Sequence, residues 1–132
     1  MIKYRKIHVA AIIKGRRVKS SFVRIVQVFE HLGPEQFLIT LIPVNSLKIS
    51  DIIRSDIVVV QRGEKSHVIP FLKIAKNAGK MIVFECDDDL LNIPSDSGMG
   101  SRSAEVKKNV LEVISLSDAI VVSTPVLAEK IR

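Results

Sequence analysis

Five short runs of apolar and β-branched residues, at 7–13, 37–44, 57–61, 81–86 and 119–122, recur along the chain with stretches of helical periodicity between them. Each run is too short for a buried helix and nearly continuous in apolar character, as in strands buried on both faces. Such strands need cover above and below, and the intervening segments can supply it. Phe22, Ile25, Val26, Phe29 and Leu32 share one face at spacings of three and four, and Val106, Val110, Val113 and Ile114 do the same. The alternation specifies an α/β fold: a Rossmann-like, doubly wound parallel sheet of about five strands with helices on both faces. The first strand is expected at the centre, in the order 3-2-1-4-5, with the two halves diverging near Lys14 and Asp87.

Punctuation supports these boundaries. Ser20 or Ser21 can cap the first helix and Gly33-Pro34 stops it, while Gly79 closes a helix over 71–78. Thr124-Pro125 opens a last helix, with proline where a missing N–H costs little. Pro70 leaves the start of the third helical segment open. Leu47, Ile49, Ile52 and Ile53 allow at most a short helix between the second and third strands. Residues 92–103, rich in serine with Pro94, Gly98 and Gly100, predict a mobile loop.

A chain of 132 residues suits one domain with one core, so residues 1–132 are read as a single unit. With 47% hydrophobic but only 5% aromatic residues, that core must be built from Ile, Val, Leu and Ala. The lone cysteine, Cys86, excludes an internal disulfide and fits a reducing compartment; preceding three aspartates, it reads as a strand residue rather than a nucleophile. No apolar run approaches the roughly 20 residues of a membrane span, and the N-terminus lacks a signal-peptide core, so a soluble, cytoplasmic protein is expected.

The net charge is +6, and Lys3, Arg5, Lys6, Lys14, Arg16, Arg17, Lys19 and Arg24 accumulate before the first acid, Glu30. A local positive field follows, which attracts phosphate groups, an acidic lipid surface or nucleic acid unless these side chains serve only solubility. In a doubly wound sheet, ligands bind beyond the carboxyl ends of the strands, which directs attention to residues 14–21, 44–48, 62–66, 87–89 and 123–124. The first turn, with Gly15, Arg16, Arg17, Ser20, Ser21 and then Arg24, leads into a helix start that either holds a phosphate or is a basic solvated loop. It has one glycine where a dinucleotide fingerprint has three, and no Gly-Lys-Ser/Thr ending, which weakens NAD and P-loop readings.

Asp87, Asp88 and Asp89 follow a buried strand; they form a solvated turn or bind a divalent ion, although no His or Glu with ligand spacing stands nearby. His8, His31 and His67 are isolated, and only His67 falls near a strand end suited to chemistry. Ser123 lacks the Gly-x-Ser-x-Gly elbow of a hydrolase.

Three stretches also carry a family likeness: Ser55-Asp56-Ile57-Val58-Val59-Val60-Gln61-Arg62, the segment from Ala78-Gly79-Lys80 through Asp87-Asp88-Asp89-Leu90 to Pro94, and Ser117-Asp118-Ala119-Ile120-Val121-Val122-Ser123-Thr124-Pro125. Together with Ser20-Ser21-Phe22-Val23-Arg24, they resemble the N-terminal half of group 1, family 4-like glycosyltransferases. The resemblance implies two Rossmann-like domains facing a cleft, of GT-B type, usually without a bound metal or other cofactor. The N-terminal domain chiefly holds the acceptor, the C-terminal one the nucleotide-sugar donor.

On this reading Gly15 and the adjacent Arg16, Arg17, Ser20, Ser21 and Arg24 contact phosphate, while Arg62, Asp87, Asp88, Asp89, Ser123 and Thr124 line the cleft. The partners implied are a nucleotide-sugar donor, held mainly by a C-terminal domain that this sequence does not contain, and a glycan or phosphate-bearing acceptor, with peripheral membrane contact and no nucleic acid. Sugar transfer by these residues alone is not expected. Two other readings stay open: a metal-dependent transferase using Asp87 and Asp89, and a non-catalytic α/β binding or regulatory module. Receiver-like modules carry their acidic pair after the first strand, where this chain has Lys14-Gly15.

Overall fold

The computed structural model describes residues 5–13, 31, 33, 35–61, 66–86 and 103–122. In chain order these form β1 (Ile7–Ile13), β2 (Phe37–Pro43), a 3-10 turn (Val44–Ser46), α1 (Ile49–Ile53), β3 (Ile57–Gln61), a second 3-10 turn (Ser66–Val68), α2 (Ile69–Asn77), β4 (Met81–Cys86), α3 (Ser103–Leu116) and β5 (Ala119–Val122). All the strand pairings are parallel. The architecture is the expected Rossmann-like α/β sheet of five strands. The helices expected after β1 and after Pro125, and the loop expected over 92–103 as far as Ser103, fall outside the described residues.

The strand order differs from the expected 3-2-1-4-5: it is β2-β1-β3-β4-β5. Burial explains the change. Val58 to Gln61 of β3 are buried without interruption, as a central strand requires, whereas Phe37 to Leu41 of β2 alternate between half-buried and exposed, with Leu38 46% exposed. β2 also ends in Pro43, which cannot donate to a ladder and belongs at an edge. The chain therefore reverses between β1 and β3, rather than between β1 and β4 near Lys14 and Asp87.

The sheet separates two apolar layers. On one side Ile12, Val58, Val60, Ile82 and Phe84 pack with Ile52 of α1, Leu72 and Ala75 of α2, and Val106, Val110 and Val113 of α3. Val9, Ala11, Ile13 and Val59 form the opposite layer, with Ile39, Leu41 and Val83 against them. Lys73 of α2 and Glu112 of α3 pair at 3.4 Å across the helical layer. Pro70 is accommodated because the 3-10 turn absorbs the approach and proline falls in the first helical turn. The other end of α2 closes as a Schellman motif: Lys80 N–H donates to Ala75 O and Gly79 N–H to Lys76 O, with Gly79 at φ 76°.

Two Ser-Asp pairs join helix ends to strand starts in the same way. The hydroxyls of Ser55 and Ser117 donate to Ile52 O and Val113 O in the last turns of α1 and α3, at 2.7 Å each. Asp56 N–H then donates to His8 O while its carboxylate accepts His8 N–H, both at 2.8 Å. Asp118 repeats this exchange with Ile82, at 2.7 Å and 2.8 Å. Arg5 adds a two-pronged contact to Asp56, both bonds 2.8 Å long, so this member of the basic N-terminal cluster is engaged at the amino edge. The Arg5 guanidinium and the His8 N–H hold the Asp56 carboxyl well below the usual carboxylate range.

Two outcomes follow. Phe84→Ala, which removes the largest fully buried side chain among the described residues, should lower unfolding free energy by about 3–5 kcal/mol in denaturant melts. Asp56→Ala should lower it by about 1–3 kcal/mol at neutral pH. Because the folded carboxyl titrates below its unfolded value of about 4, its contribution is complete above that pH and is lost as pH falls through the folded value. Asp56→Asn should therefore flatten the acid limb of the stability profile relative to the parent chain.

Candidate functional site

In a parallel sheet every strand delivers its carboxyl end to the same edge, and the crevice opens where the strand order reverses. Here that point lies between β1 and β3, beyond Ile13 and Gln61. Gln61 is the register partner of Glu85 in β4. Both point to the face opposite Val60 and Phe84, and both are buried, at 7% and 3% exposure. Removing an amide and a carboxyl from water is costly unless they are well satisfied, so two such groups side by side on β3 and β4 are a polar feature of the core that the fold must support. An amide donates and accepts; beside a carboxyl group it can order hydroxyl or amine groups.

The two 3-10 turns that follow β2 and β3 in sequence, whose Val44 and Val68 pack in the helical layer with Val60 and Phe84, are tied to each other. His67 Nε2 lies 3.1 Å from Val44 O, and since a carbonyl only accepts, Nε2 carries the proton. His67, the histidine that the sequence marks for chemistry, is therefore held by a backbone brace.

A second concavity flanks β2. Its floor is His8, Leu38 and Thr40, and its wall is Asp51, Arg54 and Ser55, enclosing about 210 Å³. It adjoins a recess of about 310 Å³ reaching Pro43, Ser46 and Lys48. The wall is fixed locally: Asp51 accepts Lys48 N–H at 2.9 Å and pairs with Arg54 at 3.2 Å, while Arg54 Nε donates to Ser50 O. The groove exists because α1 is only five residues long and leaves the helix-side face of β2 partly uncovered.

Gly15, Arg16, Arg17, Ser20, Ser21, Arg24, Arg62, Asp87, Asp88, Asp89, Ser123 and Thr124 all lie outside the described residues. The ends of β1, β3, β4 and β5, from which these segments continue in sequence, share one edge. Sequence reasoning passed over Gln61 and Glu85, although a polar residue closing or interrupting each of two otherwise apolar runs, Ile57–Gln61 and Met81–Cys86, was a readable signal. Among the described residues no group of three or more His, Cys, Asp or Glu side chains could hold a metal ion, and no helix is long and apolar enough to cross a membrane.

The geometry thus defines the class: a parallel α/β sheet of the 2-1-3-4-5 order with a buried polar pair on β3 and β4 beside its reversal point. Among solved structures, the chain is similar to a conserved protein from Enterococcus faecalis V583, with a TM-score of 0.50 and 13% sequence identity over 95% of this chain and 97% of that one. At that identity the likeness extends to the fold. No protein-family model matches the sequence, and no curated protein does.

If the His67 brace is structural, His67→Ala should cost about 0.5–1.5 kcal/mol in urea melts and leave ligand binding at the carboxyl edge unchanged in calorimetric titration.

Proposed function

We propose that this chain is the acceptor-binding, N-terminal Rossmann-like half of a glycosyltransferase that moves a sugar from a nucleotide-sugar donor to a glycan, lipid or other acceptor. The observation that carries the reading is the reversal between β1 and β3, with buried Gln61 and Glu85 beside it. That edge is where a doubly wound sheet takes its ligand. In sequence, the strands ending there run on into the basic Gly15-Arg16-Arg17 and into Arg62, Asp87-Asp88-Asp89 and Ser123-Thr124, which belong to the stretches that carry the glycosyltransferase resemblance.

On this reading the basic turn after β1 attracts the acceptor phosphate, and the polar groups at the ends of β3 and β4 orient the acceptor hydroxyl. Donor contacts belong to a second domain, and the reaction takes place in the cytoplasm at or near an acidic membrane surface. Binding here precedes chemistry and does not depend on it.

Calorimetric titration with geranyl phosphate, a soluble phosphate-bearing probe, tests the reading. Weak binding is expected, declining as salt rises, because exposed charges are screened over about 8 Å at physiological ionic strength. Replacing Arg16 and Arg17 together by Ala should weaken binding while shifting stability by no more than about 0.5 kcal/mol. UDP-glucose should bind weakly or undetectably, with no sugar transferred. Transfer by this chain alone, or probe binding indifferent to both salt and the arginine replacements, would overturn the proposal.

A further inference from the structure

We propose that the outer edge of β2 is a self-pairing surface, on which a second copy of the chain adds its own β2 antiparallel about a two-fold axis through Thr40. The inference is independent of the glycosyltransferase reading. β2 is an outermost strand of the sheet. Its sequence, Phe-Leu-Ile-Thr-Leu-Ile-Pro, contains no charged residue, and its proline comes only at the last position. Edge strands normally carry lysine, inward-pointing charges or a bulge to discourage pairing, and a seven-residue edge without charge invites another strand.

The backbone specifies which strand fits. Ile7 N–H donates to Gln36 O at the start of the ladder, and with Ile7 in register with Phe37 the alternation turns the backbone groups of Leu38, Thr40 and Ile42 toward β1. Those of Ile39 and Leu41 point outward. An antiparallel neighbour centred on Thr40 places Ile39 opposite the partner's Leu41 and Leu41 opposite the partner's Ile39, so these outward groups exchange N–H···O=C bonds in both directions.

The side chains match under the same operation. Leu38 meets the partner's Ile42, Thr40 meets the partner's Thr40, and every pair joins residues from the same face, so the helical layer of one copy continues into that of the other. Leu38 and Thr40 are exposed in the single chain, on the floor of the groove beside α1. The charges at the corners are complementary as well. Exposed Glu35 precedes β2 and exposed Lys48 follows it; antiparallel pairing brings the acidic approach of each copy to the basic exit of the other. A single ladder with these corners is a small interface, which fits a reversible dimer rather than an obligate one.

Sedimentation equilibrium of the 132-residue chain, from micromolar to millimolar concentration, tests the pairing. A monomer–dimer equilibrium is expected. Thr40→Lys places two like charges on the two-fold axis and should raise the dissociation constant about ten-fold or more, and Thr40→Asp should do the same. Because Thr40 is exposed, both variants should keep the parent circular dichroism spectrum and thermal midpoint. Mixing the two variants should restore dimers, since lysine then faces aspartate across the axis. A chain that stays monomeric at millimolar concentration, a dimer unmoved by Thr40→Lys, or a mixture that stays dissociated would overturn the proposal. In the second of these cases, dissociation by Val121→Lys would move the contact to the β5 edge.

Discussion

Register is the constraint on which the rest of this structure depends. A hairpin fixes the register of antiparallel strands through its turn, but parallel neighbours are joined by crossovers and have no such guide. A slip of one residue would exchange the two faces of a strand and send its core side chains to the wrong layer. Here Asp56 and Asp118 supply the guide. Each places a carboxylate where it accepts a neighbouring strand's N–H and aligns its own N–H with the same residue's carbonyl, at His8 and Ile82. The preceding serines tie the helix ends to the same points. With those positions set, Val58 and Val60 fall in the helical layer with Ile12 and Phe84, and Val59 falls in the other with Ile13.

The elements were legible because burial on both faces writes a continuous apolar run, and helical cover writes a period near four. The starts and ends of β1, β3, β4 and β5 follow from composition alone, while β2 closes at Pro43, one residue short of the expected 44. Strand order was harder to read, since the right-handed crossover rule allows the third strand to lie on either side of the first pair. The deciding information was nevertheless present. Thr40 and Pro43 mark β2 as an edge, and the uninterrupted Val58-Val59-Val60 marks β3 as interior. Comparing the second and third runs with each other, rather than each against a strand template, separates the two orders.

The candidate site was legible in a different measure. The edge of the sheet follows from topology once strands are parallel, and connectivity alone assigns segments 14–21, 62–66, 87–89 and 123–124 to the strand ends there. Gln61 and Glu85 were missed, because attention to loops leaves out polar residues within strands. Arg5 illustrates the opposite error. Counted by charge, it belongs with Arg16 and Arg17; by geometry, its guanidinium is committed to Asp56 at the amino edge, opposite the carboxyl edge. Charge along a sequence reports a field only after the ion pairs within the fold are subtracted.

The same distinction changes the weight of the resemblance itself. Ser55-Asp56 and Ser117-Asp118 belong to the stretches that carry it, yet both are accounted for by the mechanics of entering a parallel strand from a helix. Any fold with that transition gains from a serine bonded back into the last turn and an aspartate aligned with the next strand. Their presence therefore argues for the architecture and says little about chemistry. Asp87, Asp88 and Asp89 differ in kind, because one carboxylate is enough for an alignment of that sort and three in succession repel one another unless a cation, a donor-rich ligand or water separates them. On the proposed reading, it is Asp87, Asp88 and Asp89 and the segment Ser123-Thr124-Pro125, not the Ser-Asp pairs at the amino edge, whose replacement would test function.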